Sequence, residues 1–392
     1  MRLIGYLSLT FVSAFSLLWA NNVELLSGLK QEIIKNEKKT NELNSDNLER
    51  SWINSIVGSF SYNNSDISKR REESNTFSVT VNQPIFKSGG IYYAIKYANA
   101  NRDFLRISTN LSEQTDIKTV LSSLYNLKKL DMQIQKQKYL IKNANIDIIR
   151  KEEQYKNGFL DSSYLNKAIL SKSSLQRSLL EMKSNRLELL KTLKSYSDKD
   201  INSVSLPRFS LIDKSEFLDK SLLLKQKSAK VIVANYQKKM TLANYLPSVT
   251  FNAGYYNTHG FNSKEYSDFG LKISMPIFDL NRGRTIEIKR LEYLKSKLQL
   301  QDTKRAESEN FDLSIKKIKL LKKKIALAKE DLNLYDKLLL STKDSYKAGE
   351  KTIYDVKTLE NSKETMAIDI KIFKIDIQLS LLDLYAKMNG KI

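Results

Sequence analysis

The sequence contains no cysteine, a single histidine and only four prolines in 392 residues. Without thiols there are no disulfides and no lipid attached through an N-terminal cysteine, so packing and hydrogen bonding must hold the fold together. The lone histidine, His259, sits in a hydrophilic stretch read as a loop between strands. There is no G-x-S-x-G, no phosphate-binding loop and no cluster of metal ligands, and no pair of carboxylates is set apart for acid–base work. That inventory argues against an enzyme and calls for no cofactor or metal. Long apolar runs are also missing, except at the N-terminus, where Arg2 precedes Leu3 to Leu18 and Trp19-Ala20-Asn21 follows. Residues 1–20 therefore read as a secretory signal, with an uncleaved anchor as the other reading. If the exported chain spans a membrane, it must do so with strands. The net charge of +21 is spread over helix surfaces with only short clusters such as Lys322-Lys323-Lys324, and no nucleic-acid-binding motif accompanies it.

What is present is a duplication. Gln83-Pro84-Ile85-Phe86 returns as Met275-Pro276-Ile277-Phe278, and Tyr155-Lys156-Asn157-Gly158 returns as Tyr346-Lys347-Ala348-Gly349, at offsets of 192 and 191. One architectural unit is thus built twice, over 21–205 and 206–392. The prolines at 84, 207, 247 and 276 leave 85–206 and 277–392 open to long helices, interrupted inside only by Gly158 and Gly349. Each arm reads as a helical hairpin, about 90–197 and about 283–388, whose ascending helix would be on the order of 95 Å long.

The apolar stripes say how many neighbours these helices need. Val356, Leu359, Met366, Ile370, Phe373, Ile377 and Leu384 form one seam, and Ile368, Ile372, Ile375, Leu379, Leu382 and Ala386 form a second beside it. Two seams mean a neighbour on each side, which suits a ring of helices better than a two-stranded coil or a compact bundle. In the second ascending helix, Ile318, Leu321, Ile325, Ala328, Leu332, Tyr335 and Leu339 make one stripe, flanked at heptad spacing by Leu313, Leu320, Leu327 and Leu334.

Ahead of each proline lie two alternating segments, about 53–63 with 75–86 and about 247–257 with 267–278. Phe77, Val79 and Val81 alternate with Thr76, Ser78, Thr80 and Asn82; Phe269, Leu271, Ile273 and Met275 alternate with Gly270, Lys272 and Ser274. Hydrophilic loops are expected at 63–74 and 257–267. Four strands cannot close a barrel alone, whereas three copies would supply twelve, with the apolar face toward lipid.

Two strands ending in x-P-I-F, a glycine-containing turn, a long helix, a Tyr-x-x-Gly turn and a return helix, all duplicated after a signal, resemble the TolC family of outer-membrane efflux proteins. The fold this resemblance implies is mainly α with a β-barrel portion. It is a homotrimer with a twelve-stranded barrel in the outer membrane of a Gram-negative bacterium and a twelve-helix tunnel across the periplasm. The function it implies is the exit duct of a tripartite efflux or type I secretion system, working with a periplasmic adaptor and an inner-membrane pump. By the same resemblance Tyr155, Gly158, Tyr346 and Gly349 belong to the adaptor-docking tip, and Asp355, Lys351, Tyr346 and Ser163 to the gate. Asp355 matches a carboxylate ring that favours cations at the constriction. Lys351 replaces an arginine of the family's closed-state lock, Tyr164 its acidic partner, and Thr358 a second acid. The rival expectation is a secreted coiled-coil scaffold or adhesin without a lumen, which has no need of amphipathic strands.

Overall fold

The computed structural model describes residues 23–67, 70–200, 204–260 and 263–388, so the expected signal segment 1–20 lies outside the described residues. After a 3-10 turn at Val23–Leu25, the order is α1 (Gly28–Glu49), β1 (Val57–Ile67), β2 (Arg70–Phe86), α2 (Gly90–Lys156) and α3 (Ser162–Tyr196). There follow α4 (Lys214–Lys220), α5 (Leu222–Ala243), β3 (Ser248–Gly260), β4 (Lys264–Ser274), α6 (Arg282–Lys347) and α7 (Ile353–Tyr385). Each copy of the duplicated unit thus also carries a helix ahead of its strand pair, α1 in the first and α5 in the second. No described helix is long and apolar enough to cross a membrane. The chain packs as two compact units that each draw on both repeats. One holds Lys35–Asn110 and Leu222–Arg305; the other is built on Leu111–Ser221 and Ala306 onward, with the N-terminal stretch up to Ile34.

The first unit contains one antiparallel sheet in the order β1-β2-β3-β4. Its register aligns Phe60 with Phe77, Val79 with Tyr255, Val81 with Ala253 and Ala253 with Phe269. Directly paired residues share a face. All four apolar alternations therefore fall on one side of the sheet, and all four polar ones on the other. The apolar side is the open one: Phe60, Phe77, Phe269, Leu271 and Ile273 are exposed, Phe269 by 84%. The polar side satisfies itself, with Ser59 and Ser78 hydroxyls 2.8 Å apart and Thr76 and Thr258 hydroxyls 3.1 Å apart. A sheet in water does the reverse, burying the apolar side.

Three expectations are corrected here. The loops expected at 63–74 and 257–267 are largely strand, because Asn63–Ile67 pairs residue for residue with Arg70–Ser74 and backbone pairing needs no apolar side chains. His259 accordingly lies in β3, opposite Asn75. The segment Met275–Phe278, expected to end a strand, lies beyond β4, because its partner runs out: Ser248 pairs with Ser274, and Pro247 before it cannot donate to the ladder. In the first repeat Pro84 stays within β2, but the register of β2 against β3 shifts between Pro84 and Phe86.

The second unit is a layer of antiparallel helices. Asp131 of α2 pairs with Arg186 of α3 at 2.6 Å, and Asn145 accepts from Lys172 at 2.7 Å. On its other flank α2 meets α7 through a ladder. Lys129 pairs with Asp376 at 2.7 Å and Lys136 with Asp369 at 2.7 Å, Asn143 donates to the Ser362 hydroxyl at 3.3 Å, and Arg150 pairs with Asp355 at 2.6 Å. Each rung lies seven residues further along α2 and seven back along α7, the repeat at which one helix keeps a constant face toward a neighbour. Beyond α7 comes α6, joined by Lys363 to Asp336 and by Lys343 to Glu360. The order is α3-α2-α7-α6, so both seams of α7 are used inside the chain, with Ile368, Ile372, Ile375 and Leu382 buried on one and Val356, Ile370 and Leu384 on the other.

The two outer helices are half-used. On α6, Ile318, Leu321 and Ala328 are buried, whereas Leu313, Leu320, Leu327 and Leu334 are 55 to 61% exposed; on α3, Leu170, Leu180 and Leu187 are equally open. The segment joining the repeats is clamped across the inner pair. Tyr125 of α2 donates to the Pro207 carbonyl, and Gln378 of α7 accepts from the Phe209 amide and donates to its carbonyl. Burial pushes the Tyr125 phenol up to about 12.

The ladder makes a register prediction in a chain free of native thiols. Asn143→Cys combined with Ser362→Cys should form an intramolecular disulfide under mild oxidation, seen as a mobility shift on non-reducing gels. Asn143→Cys with Asp369→Cys, one rung out, should not. Efficient closure of the mismatched pair would mean that α2 and α7 slide freely.

Candidate functional site

Every residue singled out for the gate and the tip lies in the helical unit, at the two turns that end the long helices. Gly158 and Gly349 follow α2 and α6 with φ of +73° and +79°, the left-handed conformation that glycine adopts without penalty. Both turns close in the same way. Phe159 donates its amide to the Gln154 carbonyl at 2.9 Å, and Glu350 to the Ser345 carbonyl at 2.9 Å. These six-to-one bonds satisfy carbonyls that the helix end would otherwise orphan. Tyr155 and Tyr346 sit one turn earlier and present exposed rings, and Phe159 projects from the first turn 82% exposed.

The return helices begin with different caps. Asp161 caps α3, its carboxylate accepting from the Ser163 amide at 2.7 Å, so Ser163 is held in the first turn of α3. Thr352 caps α7 in a reciprocal box: the Asp355 amide donates to the Thr352 hydroxyl at 3.3 Å, and the Thr352 amide donates back to the Asp355 carboxylate at 2.9 Å. The T-x-x-D spacing announces this box in the sequence.

Asp355 has a second engagement that its position in the chain does not reveal. One carboxylate oxygen accepts from Thr352, and the other meets the Arg150 guanidinium at 2.6 Å, across from the end of α2. Its side chain is only 30% exposed. Its carboxyl is held below the usual carboxylate range, first by the Thr352 amide, then by the Thr352 hydroxyl and the charges of Arg150 and Lys351, against a desolvation that pushes upward. Of the expected gate residues, Lys351 thus lies within the field of Asp355, Tyr346 lies at the preceding turn, and Ser163 belongs to the other hairpin. The residue that links the hairpins at this level is Arg150, which pattern reading passed over. Its signal was the heptad spacing of Lys129, Lys136 and Arg150 on one helix against Asp376, Asp369 and Asp355 on another. Above this rung a groove of about 640 Å³ opens between α2, α3 and α7, edged by Lys142, Lys172 and Lys357 over Ile141, Ile146 and Tyr354.

Comparison with known proteins gives this geometry a context. Residues 214–388 match the family described as outer membrane efflux protein. No curated protein matches the chain in sequence. Its fold is similar to the solved outer membrane protein VceC of Vibrio cholerae (14% identity over 95% of this chain and 96% of that one, TM-score 0.73). It is equally similar to the CmeC outer membrane channel of Campylobacter jejuni (14% identity, 100% and 90% covered, TM-score 0.74). The MtrE outer membrane channel of Neisseria gonorrhoeae, solved in an open state, shares 12% identity with 94% and 87% covered and a TM-score of 0.67.

The cap predicts a pH response. A carboxyl whose folded-state pKa is depressed stabilises the fold above its unfolded value, and that stability is lost as pH falls through the folded value. Hydrogen-exchange protection factors of the Thr352 and Asp355 amides, corrected for the intrinsic exchange rate at each pH, should therefore fall below about pH 4, and in Asp355→Asn they should be lower at neutral pH and lose this dependence. Thr352→Ala should remove about 1 kcal/mol, roughly a fivefold rise in local opening. Unchanged protection in both variants would show that the box does not hold the helix start.

Proposed function

We propose, for a chain that carries an outer membrane efflux protein domain and is folded along its described length like solved outer-membrane channels, that three copies form a passive exit duct through the outer membrane of a Gram-negative cell. The observation that carries this reading is that both layers are open. The sheet ends at β1 and β4, and the helical layer ends at α3 and α6. An uncapped sheet edge cannot stay unpaired in hydrocarbon, where nothing else satisfies its backbone groups. Three copies of the four-stranded sheet give twelve strands, an even number within the barrel range. The outward apolar face then meets lipid, and the polar face with its paired hydroxyls lines the interior.

The duplication supports a specific seam between copies. Within one copy the long helix of the first repeat, α2, pairs with the return helix of the second, α7. The combination left over is α6 with α3. Shifting the α2 rungs by 191, the offset of the two turn glycines, places Leu320, Leu327 and Leu334 where Lys129, Lys136 and Asn143 stand. The same shift places Asn185, Ser178 and Ser171 where Asp376, Asp369 and Ser362 stand. Exposed leucines on α6 would thus face small residues on α3 of the next copy, knobs against holes. The ring repeats one packing arrangement, with ions inside each copy and apolar knobs between copies.

In this reading the two glycine turns form the periplasmic mouth. Tyr155, Gly158, Tyr346 and Gly349, together with the exposed Phe159 and the lysine-edged groove, present the surface to a periplasmic adaptor that brings an inner-membrane pump. Asp355, Lys351, Tyr346 and Ser163 stand at the constriction. No residue does chemistry; transport is passive, and the pump supplies the energy. A lumen-free scaffold would leave the outward aromatic face of the sheet unexplained.

Two experiments test this. Leu327→Cys with Ser178→Cys should give covalent dimers and trimers in outer-membrane fractions, and the duct reading fails if the pair yields only monomers. Val79→Arg on the apolar face should cost roughly 2–4 kcal/mol at mid-bilayer and hinder membrane assembly, while Thr80→Arg on the opposite face should be tolerated. Equal tolerance of the two would place neither face against lipid.

A further inference from the structure

The Arg150–Asp355 pair is the last rung of the α2–α7 ladder and the one nearest the glycine turns. At the corresponding positions of the other helix combination the shift by 191 gives Ser341 and Tyr164, which carry no charge. Both carboxylate oxygens are engaged from inside the same chain: Thr352 donates to one and Arg150 to the other. A carboxylate so engaged offers an ion in the lumen little unscreened charge. A bare ring of three would favour cations strongly; three neutralised pairs would not.

We infer that Arg150 is the residue that sets the ion selectivity of the periplasmic mouth, by keeping the Asp355 carboxylate neutralised within each copy. This rests on the channel reading proposed above. The duct is then permissive toward solutes of either charge at its narrowest level, and the selectivity of a free carboxylate ring is latent, released when Arg150 disengages. Lys351 acts on Asp355 only through its field, whereas Arg150 touches it, so Lys351 does not stand in for a charge at position 150.

The test uses the full-length protein purified from membranes and inserted into planar bilayers, with reversal potentials read in a potassium chloride gradient and hexamminecobalt added on the mouth side as a trivalent probe. The wild type should be weakly selective and little blocked. Arg150→Gln should raise the cation-to-anion permeability ratio about threefold or more and make the channel sensitive to the trivalent cation. Arg150→Lys should stay near the wild type, and Arg150→Gln combined with Asp355→Asn should lose both gains. A merely structural role for Arg150 would alter conductance or stability without this dependence on the Asp355 charge. If Arg150→Gln fails to assemble, the wild type alone still decides: strong cation selectivity with block by the trivalent probe overturns the inference. So do a selectivity and block unchanged by Arg150→Gln. Absence of any conductance in the wild type would instead defeat the channel reading itself.

Discussion

Closure is the constraint on which the rest of this structure depends. A four-stranded sheet whose aromatic side faces outward leaves two strand edges with unpaired backbone groups, and neither edge nor face is at rest as a monomer. The helical layer has the same problem in another form. Its inner helices are packed on both flanks, while α3 and α6 each keep a line of leucines open. Each unit is half-built in the same sense, and each edge is one that a neighbouring copy would cover in the proposed assembly.

The division of labour between charge and apolar contact follows from this. Inside the chain, α2 and α7 are set in register by Lys129, Lys136 and Arg150 against Asp376, Asp369 and Asp355, partly buried pairs whose worth lies in specifying register more than in net stability. A helix pair with only apolar heptads could shift by a turn; one with three charged rungs and an amide rung cannot do so without leaving charges unpaired. On the outer helices the equivalent positions are leucine and small polar residues, suited to an interface assembled after each chain has folded. The clamp of Tyr125 and Gln378 on the segment around Pro207 and Phe209 ties the junction between repeats to the same inner pair.

Much of this was legible in the sequence. Gly158 and Gly349 marked the ends of α2 and α6, because a left-handed turn is a local requirement, whereas Pro84 and Pro276 marked only the neighbourhood of the strand ends. The period-two segments showed which side of each strand is apolar, and the register puts all four on one face. The outer reaches of the strands were not legible, since Asn63–Ile67 and Arg70–Ser74 pair through backbone and lack the composition of strands. Nor was Arg150 singled out. Its partner lies 205 residues away, and a heptad pattern reveals that a helix has a face without saying which helix meets it. The same gap makes Asp355 read as a free carboxylate in sequence and as a doubly engaged one in the structure.

The central claim is that this chain is one third of a closed, hollow assembly. Native mass spectrometry of the protein released from membranes in mild detergent tests it most directly. The account requires a dominant species of three chains that persists on dilution. A monomer, or an open-ended series of oligomers, would contradict it.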